Sequence, residues 1–492
     1  MTSINRRKFL AGSAGLVIAG KFAPSGAFAM DQEINDTKSA PRPDKAVQSS
    51  EINIQTLPNF CSHEHWGSIE SIGMAPEQGG FRADAIAVAR PLRPTSIWDL
   101  VLDPYLGSAM IAGGHDPHAM AKASGYSTQL QWWRANPEEA LKGFQSCVKS
   151  FSLTGTFQCL RRGIKHLYEI DIAGFDTEEW KNADGLIEKN YQEFFSWYRQ
   201  AMKEANFSRL IRPVHPEFYA QAESPESKQD ELSFTNTILR IDPLLDLWKV
   251  KSPRRDALSG IAGIEPADAK SWKEFINKLF DLAAANHTVG IKQLQAYFRP
   301  LDYQPRRDSE VRFRGEPDEN EVIAFQDWVM HECCKQAHER RWAHQVHVGT
   351  NNLAQSSPLP LEALSVRYPQ MNIVIIHCWP FLKEAGYLAK HRSNMYVDTC
   401  WLPVLNPNFL SEALDGWLNY VPTHKIMLGH DSTSIEMAVG SSLFTREILA
   451  EKLNHQQKLL QLPSTQLLAT AADMLHNNAV RLYGVGEEFV PM

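Results

Sequence analysis

Short apolar runs that alternate with helical patterns constrain the fold of this 492-residue chain more than any other feature. Eight runs rich in apolar or β-branched residues predict strands over residues 55–62, 208–214, 237–242, 288–295, 344–349, 372–377, 394–398 and 425–429. Helical periodicity occupies residues 268–286, 319–342 and 408–420, with Asp268 and Asn408 as candidate N-caps. This repetition predicts a parallel sheet, and eight units favour a closed (β/α)8 barrel over an open sheet.

The interval between the first two predicted strands is too long for a simple connection. Residues 69–206 contain helical patterns over residues 137–149 and 177–205. We therefore expect a helical insertion after the first strand, within a single barrel domain that extends over residues 51–492.

The amino-terminal residues have the pattern of an export signal. Arg6 and Arg7 precede a weakly apolar run and the small-residue sequence at residues 27–29, which resembles a twin-arginine signal peptide. We expect cleavage after residue 29, a flexible leader over residues 30–50, and a periplasmic or secreted protein handled by the twin-arginine export machinery. Because Lys21 interrupts the apolar run after about half of the ~20 residues of a membrane span, no stable membrane insertion is expected.

The composition excludes several classes of protein. With 43% hydrophobic and 22% charged residues, the chain can bury a large core and does not resemble a disordered protein. Its formal net charge of -7 argues against nucleic-acid binding, which requires a basic surface. The seven cysteines are odd in number and lack a CxxC pattern, so no disulfide framework is predicted.

Candidate metal ligands follow four of the predicted strands. His63 and His65 are two residues apart, so both face the same side of a strand. His347 and His377 each close an apolar run, and Asp431 follows another. Because the carboxyl ends of barrel strands meet at one mouth, these side chains are expected to converge there. Imidazoles and a carboxylate suit a divalent ion such as zinc, with an open position for water.

Seven segments in a fixed order carry a family resemblance: SHEHWG, VGIKQLQAYFRPL, HQVHVGT, IVIIHCWPFLKEAGYLA, MYVDTCW, KIMLGHDS and MLHNNAVRLYG. In this order they resemble the amidohydrolase superfamily, and specifically its amidohydrolase-related branch, which also contains decarboxylases of the aminocarboxymuconate type. The resemblance extends over most of the chain and implies a (β/α)8 barrel.

The resemblance also implies the roles of individual residues. His63, His65, His347 and Asp431 would bind one catalytic Zn²⁺ per chain. His377 would act as a general acid or base or would polarise the substrate, and Asp431 would also take a proton from the bound water. Since a bound divalent ion lowers the pKa of water from about 15.7 toward about 7, we expect hydrolysis of a C–N or C–O bond in a small amide, lactone or ester. Two alternatives are a nonoxidative decarboxylase of an unsaturated or aromatic acid, and a non-catalytic ligand-binding barrel.

Four further residues are candidate contacts to the substrate or to the ligands. Lys292 lies on the strand where binuclear relatives carry a carbamylated lysine, but its position well before the predicted strand end favours one metal, with Lys292 as a charge partner or substrate contact. Arg299 is a candidate either for binding a substrate carboxylate or for a structural salt bridge. Asp398 would accept a hydrogen bond from substrate or from a neighbour of the ligands. Trp379 would either line the pocket or pack in the core.

The sequence indicates neither the substrate nor the oligomeric state, and a homo-oligomer is compatible with it.

Overall fold

A computed structural model describes residues 52–65, 74–75, 80–81, 96–101, 104–114, 116–126, 131–132, 135–172, 177–219, 230–249, 252–350 and 352–491. The predicted signal peptide and leader lie outside these residues.

One parallel sheet of eight strands, in sequential order, forms the centre of the fold. Its strands are β1 (Asn59–Cys61), β2 (Phe207–Val214), β3 (Thr235–Arg240), β4 (Thr288–Gln293), β5 (Ala343–His347), β6 (Asn372–Ile376), β7 (Met395–Asp398) and β8 (Ile426–Met427). Every neighbouring pair is parallel. Each predicted apolar run overlaps one of these strands, and the predicted (β/α)8 fold is confirmed.

Backbone hydrogen bonds bring the two ends of the sheet together. The Asp431 N–H donates to the His63 carbonyl at 2.9 Å, and the His65 N–H donates to the Ser432 carbonyl at 3.0 Å. These bonds join the residues after β8 to those after β1. The loops that follow the first and last strands therefore lie side by side, although they are far apart in sequence.

Side chains of the strands alternate between two cores, as the strand period of two requires. Ile291 and Val346 pack outward with helical residues such as Trp272. Ala343 and Val374 belong to a separate cluster inside the sheet. Residues that lie on this inner face near the carboxyl ends of the strands therefore face the mouth of the barrel.

The helices around the sheet begin close to the predicted positions. The Asp268 side chain caps its helix by accepting from the Ser271 N–H at 2.9 Å, and the Ser271 hydroxyl accepts from the Asp268 N–H at 3.0 Å. The predicted cap Asn408 is wrong. Asn406 caps instead and accepts from the Asn408 N–H at 3.0 Å, because Pro407 fills the first helical position, where the missing N–H has no cost.

The helices that follow β2 are Asp242–Leu245, Pro253–Ala262, Ala269–Ala284, Glu319–Arg340, Leu361–Arg367, Leu382–His391, Leu402–Leu405, Pro407–Trp417, Ile435–Leu460, Ser464–Ala472 and Asn478–Tyr483. A π-helical turn at Asp473–Asn477 and the 3-10 turns Pro216–Tyr219, Gln295–Tyr297, Asp308–Glu310 and Thr423–Lys425 complete this part of the chain.

Helices dominate the described residues between β1 and β2. They are Ile97–Val101, Pro104–Ala112, Pro117–Ala123, Pro137–Phe151, Gly155–Tyr168, Thr177–Gln192 and Phe194–Glu204, and a short antiparallel pair, Met74–Ala75 and Gly80–Phe81, precedes them. The single helix predicted over residues 177–205 is thus two helices that meet at Glu193. Aromatic side chains such as Phe144, Trp180 and Tyr198 form a core of their own there.

Two glycines allow the helix Gly155–Tyr168 to pack closely on the helix Ile435–Leu460. A Cβ at Gly163 would lie 1.7 Å from the Glu436 carbonyl oxygen, and one at Gly440 would lie 1.7 Å from the Cys159 carbonyl oxygen. Neither position has room for a side chain, so the backbones touch directly.

A buried carboxyl group adds polar contacts to this helix pair. Glu436 accepts hydrogen bonds from the hydroxyls of Tyr168 at 2.7 Å and Tyr191 at 2.8 Å. Burial raises the pKa of Glu436, and the two hydroxyls partly oppose that effect. The contact joins the helices before β2 to the helix that begins just after Asp431.

The described residues contain neither a disulfide nor a membrane-spanning helix. All seven cysteines are buried as free thiols. No described helix is both long enough and apolar enough to cross a bilayer.

Candidate metal centre

His63, His65 and Asp431 bring three ligand atoms together at the mouth of the barrel. The Nε2 atoms of the two imidazoles are 3.3 Å apart. Asp431 Oδ1 lies 3.1 Å from Nε2 of His65 and 3.6 Å from Nε2 of His63. This oxygen is buried, and no donor among the described residues makes a hydrogen bond of good geometry to it. Since a buried carboxylate oxygen facing two imidazole nitrogens needs a cation, the donor set fits a divalent metal ion.

Gln345 fixes the orientation of His63. Nδ1 of His63 lies 2.6 Å from Gln345 Oε1, while the Gln345 amide nitrogen donates to the Ser62 carbonyl at 2.7 Å and to the Tyr483 hydroxyl at 2.6 Å. Because the amide nitrogen is committed to these acceptors, Oε1 accepts and Nδ1 of His63 carries the proton. The Nε2 lone pair then faces the other ligands, as metal-binding histidines require.

His377 is held beside Asp431 by a similar contact. Its Nδ1 donates to the Cys400 carbonyl at 3.0 Å, which leaves Nε2 facing Asp431 Oδ2 at 3.4 Å. His377, Cys400 and Asp431 form a second group of candidate ligand atoms, all within 4.8 Å of one another. The Trp401 ring packs edge-on against the imidazole, with 5.1 Å between the ring centroids. The position suits a group that exchanges protons near the metal, and that role stays a prediction.

His347 lies in the wall of the site, outside both groups of ligand atoms. Its ring centroid is 4.3 Å from that of His377 and 4.4 Å from that of Tyr297. Its Nε2 is 3.0 Å from the Thr350 hydroxyl, which donates to the Gly349 carbonyl at 2.8 Å. Nε2 of His347 therefore contacts the Thr350 hydroxyl and lies outside the two groups of ligand atoms in this arrangement. The structure thus brings together three of the four predicted ligands.

Burial keeps the imidazoles neutral, while Asp431 stays ionised. Burial lowers the pKa of His63 and His65, and it lowers the pKa of His377 to about 4. Burial alone would raise the pKa of Asp431, but the neighbouring imidazoles outweigh it and hold that pKa below its usual range. Neutral imidazoles and an ionised carboxylate are the protonation states that bind a divalent ion.

Glu64 joins the two loops that carry the ligands. Its Oε2 accepts from the Ser432 N–H at 2.7 Å, and its Oε1 accepts from the Cys61 thiol at 3.0 Å. The side chain is fully buried, and burial raises its pKa. Sequence reasoning missed this residue. The available signal was its place between the two histidines, where strand alternation turns it away from the metal and toward the neighbouring loop.

Asp398 supports the backbone beneath the ligands. It accepts from the Ser62 hydroxyl, and from the N–H groups of Cys400 and Gly429, both at 2.9 Å. Its side chain is completely buried, and burial raises its pKa. Because three donors of this chain occupy the carboxylate, the contacts favour the supporting role over the substrate contact.

Lys292 lies at the mouth end of its strand. The prediction that it stands well before the strand end is wrong, because β4 ends at Gln293 and residues Gln295–Tyr297 form a 3-10 turn. The Gln293 side chain stops the strand by accepting from the Gln295 N–H at 3.1 Å. Lys292 is therefore next to last in β4, and it is 1% exposed.

Arg299 and Trp379 make structural contacts. Arg299 Nη2 donates to Asp327 Oδ1 at 2.7 Å, which favours the salt bridge over a substrate contact. The Trp379 ring stacks on Phe409 with 4.3 Å between centroids, so its contacts favour packing. Among the tryptophans of the described residues, Trp401 contacts the candidate site, with its ring centroid 5.1 Å from that of His377.

Comparison with known proteins agrees with this geometry. The sequence profile described as Amidohydrolase matches residues 295–485, a range that includes His347, His377 and Asp431. This match supports the amidohydrolase family. The chain is 23% identical over 335 residues to Protein fluG of Emericella nidulans, covering 62% of this chain and 35% of that protein. The chain thus spans about a third of the length of this relative.

Solved structures of two isomerases share the overall fold of this chain. Glucuronate isomerase from Caulobacter crescentus matches with a TM-score of 0.65 and 15% identity, over 88% of this chain and 92% of that one. Uronate isomerase from Thermotoga maritima matches with a TM-score of 0.65 and 13% identity, over 87% of this chain and 95% of that one. At these identities the similarity shows the fold alone. The profile, the fold and the ligand cluster together support a metal-dependent enzyme of the amidohydrolase type.

Replacing Gln345 by leucine is expected to weaken metal binding by about 10- to 100-fold, because His63 loses the acceptor that fixes its tautomer. Competition with a chromophoric chelator measures the dissociation constant for Zn²⁺. Gln293→Leu, a buried glutamine on the neighbouring strand, is the matched control and should bind metal as the unchanged protein does. A folded Gln345→Leu variant with unchanged affinity would contradict the assigned orientation of His63.

Proposed function

We propose that the protein hydrolyses a C–N or C–O bond of a small molecule, such as an amide, lactone or ester, with one divalent ion that we expect to be Zn²⁺. The observation that carries this proposal is the convergence of His63, His65 and Asp431, with His377 3.4 Å from the same carboxylate. When bound, the ion would polarise the substrate and lower the pKa of water toward about 7.

His377 supplies the proton transfer in this proposal. The Cys400 carbonyl holds its Nδ1–H, so the lone pair of Nε2 is the free proton acceptor. The Asp431 carboxylate lies next to Nε2 and stabilises the imidazolium that forms when it takes a proton. His377 is only 1% exposed, and Trp401 packs edge-on against its imidazole, so access of bulk water is limited. The proton is thereby held at one atom, from which it can pass to the leaving group.

Turnover of a panel of esters, lactones and amides by the metal-loaded protein in ¹⁸O-labelled water tests the reaction. We expect one solvent oxygen in the acid product, together with one metal ion per chain. A His377→Asn variant should keep its metal and lose about 10²- to 10⁴-fold in kcat, since it lacks the proton-transfer group.

Other outcomes of the same screen would replace the proposal. Carbon dioxide release without incorporation of solvent oxygen would identify a decarboxylase. An isomeric product without labelled oxygen would identify an isomerase, and binding without turnover would identify a ligand-binding barrel.

The proposed setting is the periplasm or the outside of the cell. The paired Arg6 and Arg7, followed by an apolar run and a small-residue site, support export through the twin-arginine machinery. Export of the folded protein would allow metal loading before transport.

A further inference from the structure

Lys292 has no partner among the described residues, which is unusual for a buried cation. The other buried lysine and arginine residues each bind a carboxylate or a backbone carbonyl: Arg212, Arg240, Arg255, Arg299, Lys425 and Arg446. The Lys292 ammonium makes no hydrogen bond or ion pair to any described residue, although only 1% of the residue is exposed. A buried ammonium without a hydrogen-bond or ion-pair partner is costly, and this cost points to a ligand.

The strand register places Lys292 inside the barrel, beside the candidate metal centre. Its neighbour Ile291 packs outward, so Lys292 lies on the inner face. It is the register partner of Arg240 on β3 and of Gln345 on β5. Gln345 binds His63, so Lys292 is one strand away from the residue that orients a ligand.

The charge of Lys292 acts on the candidate ligands. Burial lowers the pKa of His63, His65 and His377, and the charge of Lys292 lowers each of them further. Burial also lowers the pKa of Lys292, to about 8, and the charge of Asp431 opposes that shift. A divalent ion on Asp431 would take up that carboxylate, and the ammonium would then need another anion.

Arg240 adds a fixed positive charge but has little capacity left for a ligand. Its Nη2 and Nε donate to Asp242 at 2.7 and 3.3 Å, and its Nη1 lies 2.9 Å from Nε2 of His215. The guanidinium is therefore held in place by this chain. A single ammonium is left to bind an anion, which suits a group with one negative charge.

We propose that Lys292 Nζ binds a carboxylate group of the substrate beside the candidate metal centre. The inference rests on the proposed function only in assigning this carboxylate to a molecule that the enzyme turns over. A carboxylate carries the single negative charge that is needed to pair with the ammonium. A phosphate would bring a second charge that Arg240, already bound to Asp242, does not neutralise.

Calorimetric titration of the metal-loaded protein with benzoate, benzamide and inorganic phosphate tests this site. Lys292→Met removes the charge and keeps most of the side-chain volume, and Lys458→Met, at an exposed lysine, is the control. We expect Lys292→Met to bind benzoate at least tenfold more weakly than the unchanged protein and Lys458→Met. Benzamide, which has no charge, should bind all three proteins equally, and each should hold one metal ion per chain.

Equal benzoate affinity in the Lys292→Met and unchanged proteins would overturn the proposal. Phosphate binding that is tighter than benzoate binding and depends on Lys292 would overturn the choice of a carboxylate. A carbamate on Lys292, seen by ¹³C NMR after growth with labelled bicarbonate and accompanied by two metal ions per chain, would replace the site with a bridging ligand.

Thermal unfolding without benzoate gives a readout that does not depend on a ligand. Because Lys292→Met removes an unpaired buried charge, we expect its unfolding temperature to rise; a fall would show a structural partner and contradict the proposal. Loss of benzoate binding in a protein that hydrolyses nothing would leave the anion site standing and refute the proposed function. Hydrolysis of carboxylate substrates at the same rate by Lys292→Met and the unchanged protein would support the proposed function and refute the anion site.

Discussion

Replacement of His63 by alanine is expected to remove the metal ion and to abolish turnover. The His63 imidazole provides one of the three converging ligand atoms, and its Nε2 lies only 3.3 Å from Nε2 of His65. Loss of a group that merely orients a ligand costs about 10- to 100-fold, so loss of the ligand itself should exceed that range. Metal content measured by mass spectrometry should fall from one ion per chain to near zero.

His430→Gln is the matched control for this experiment. His430 is also a fully buried imidazole, and it precedes Asp431 in the sequence. Its ring contacts Asn59 at 2.8 Å and Ser441 at 3.1 Å and belongs to neither group of candidate ligand atoms. This variant should keep one metal ion per chain. A His63→Ala protein that keeps a full complement of metal would refute the assigned centre.

Replacement of Gly163 by alanine is expected to lower the free energy of unfolding by about 3 kcal/mol, at the upper end of the usual cost of overpacking. The added Cβ would lie 1.7 Å from the Glu436 carbonyl oxygen, so the two helices must move apart. Glu436 would then lose its alignment with the hydroxyls of Tyr168 and Tyr191. Urea unfolding measures the change as a shift of the midpoint at constant slope.

Gly185→Ala is the opposite case and serves as the control. Gly185 lies in the helix Thr177–Gln192, is exposed, and would have nothing within 4 Å of an added Cβ. The substitution should raise the free energy of unfolding by about 0.5 to 1 kcal/mol, because alanine loses less backbone entropy in a helix. Equal effects at the two glycines would show that the helix contact is looser than described.

The strand positions were predictable because each strand is buried on both faces. Continuous apolar runs such as residues 372–377 mark parallel strands between helices, and every such run overlaps a strand. The helix start at Asp268 was predictable for a local reason as well, since its cap involves Ser271 only three residues away. The prediction of a helix boundary failed where two candidate capping residues lie close together, as at Asn406 and Asn408.

The support of the candidate site was not predictable, because its partners are distant in sequence. Gln345 meets His63, and Glu64 meets Ser432, only after the sheet has curled and its first and last strands lie near each other. Strand alternation placed Gln345 on the same face as His347, yet nothing local showed which residue it would bind. The same limit applies to Arg240, which ends an apolar run as the histidines do.

The sequence by itself determined the order of strands and helices along the chain, the parallel sheet and the residue types at the strand ends. These features depend on local periodicity and on burial. The tertiary structure decided which of those side chains meet. It joined His63, His65 and Asp431 and turned His347 toward Thr350. It also left Lys292 without a hydrogen-bond or ion-pair partner among the residues that the structure describes. Side-chain direction at a strand end depends on hydrogen bonds across the barrel mouth, and those bonds exist only once the first and last strands are adjacent.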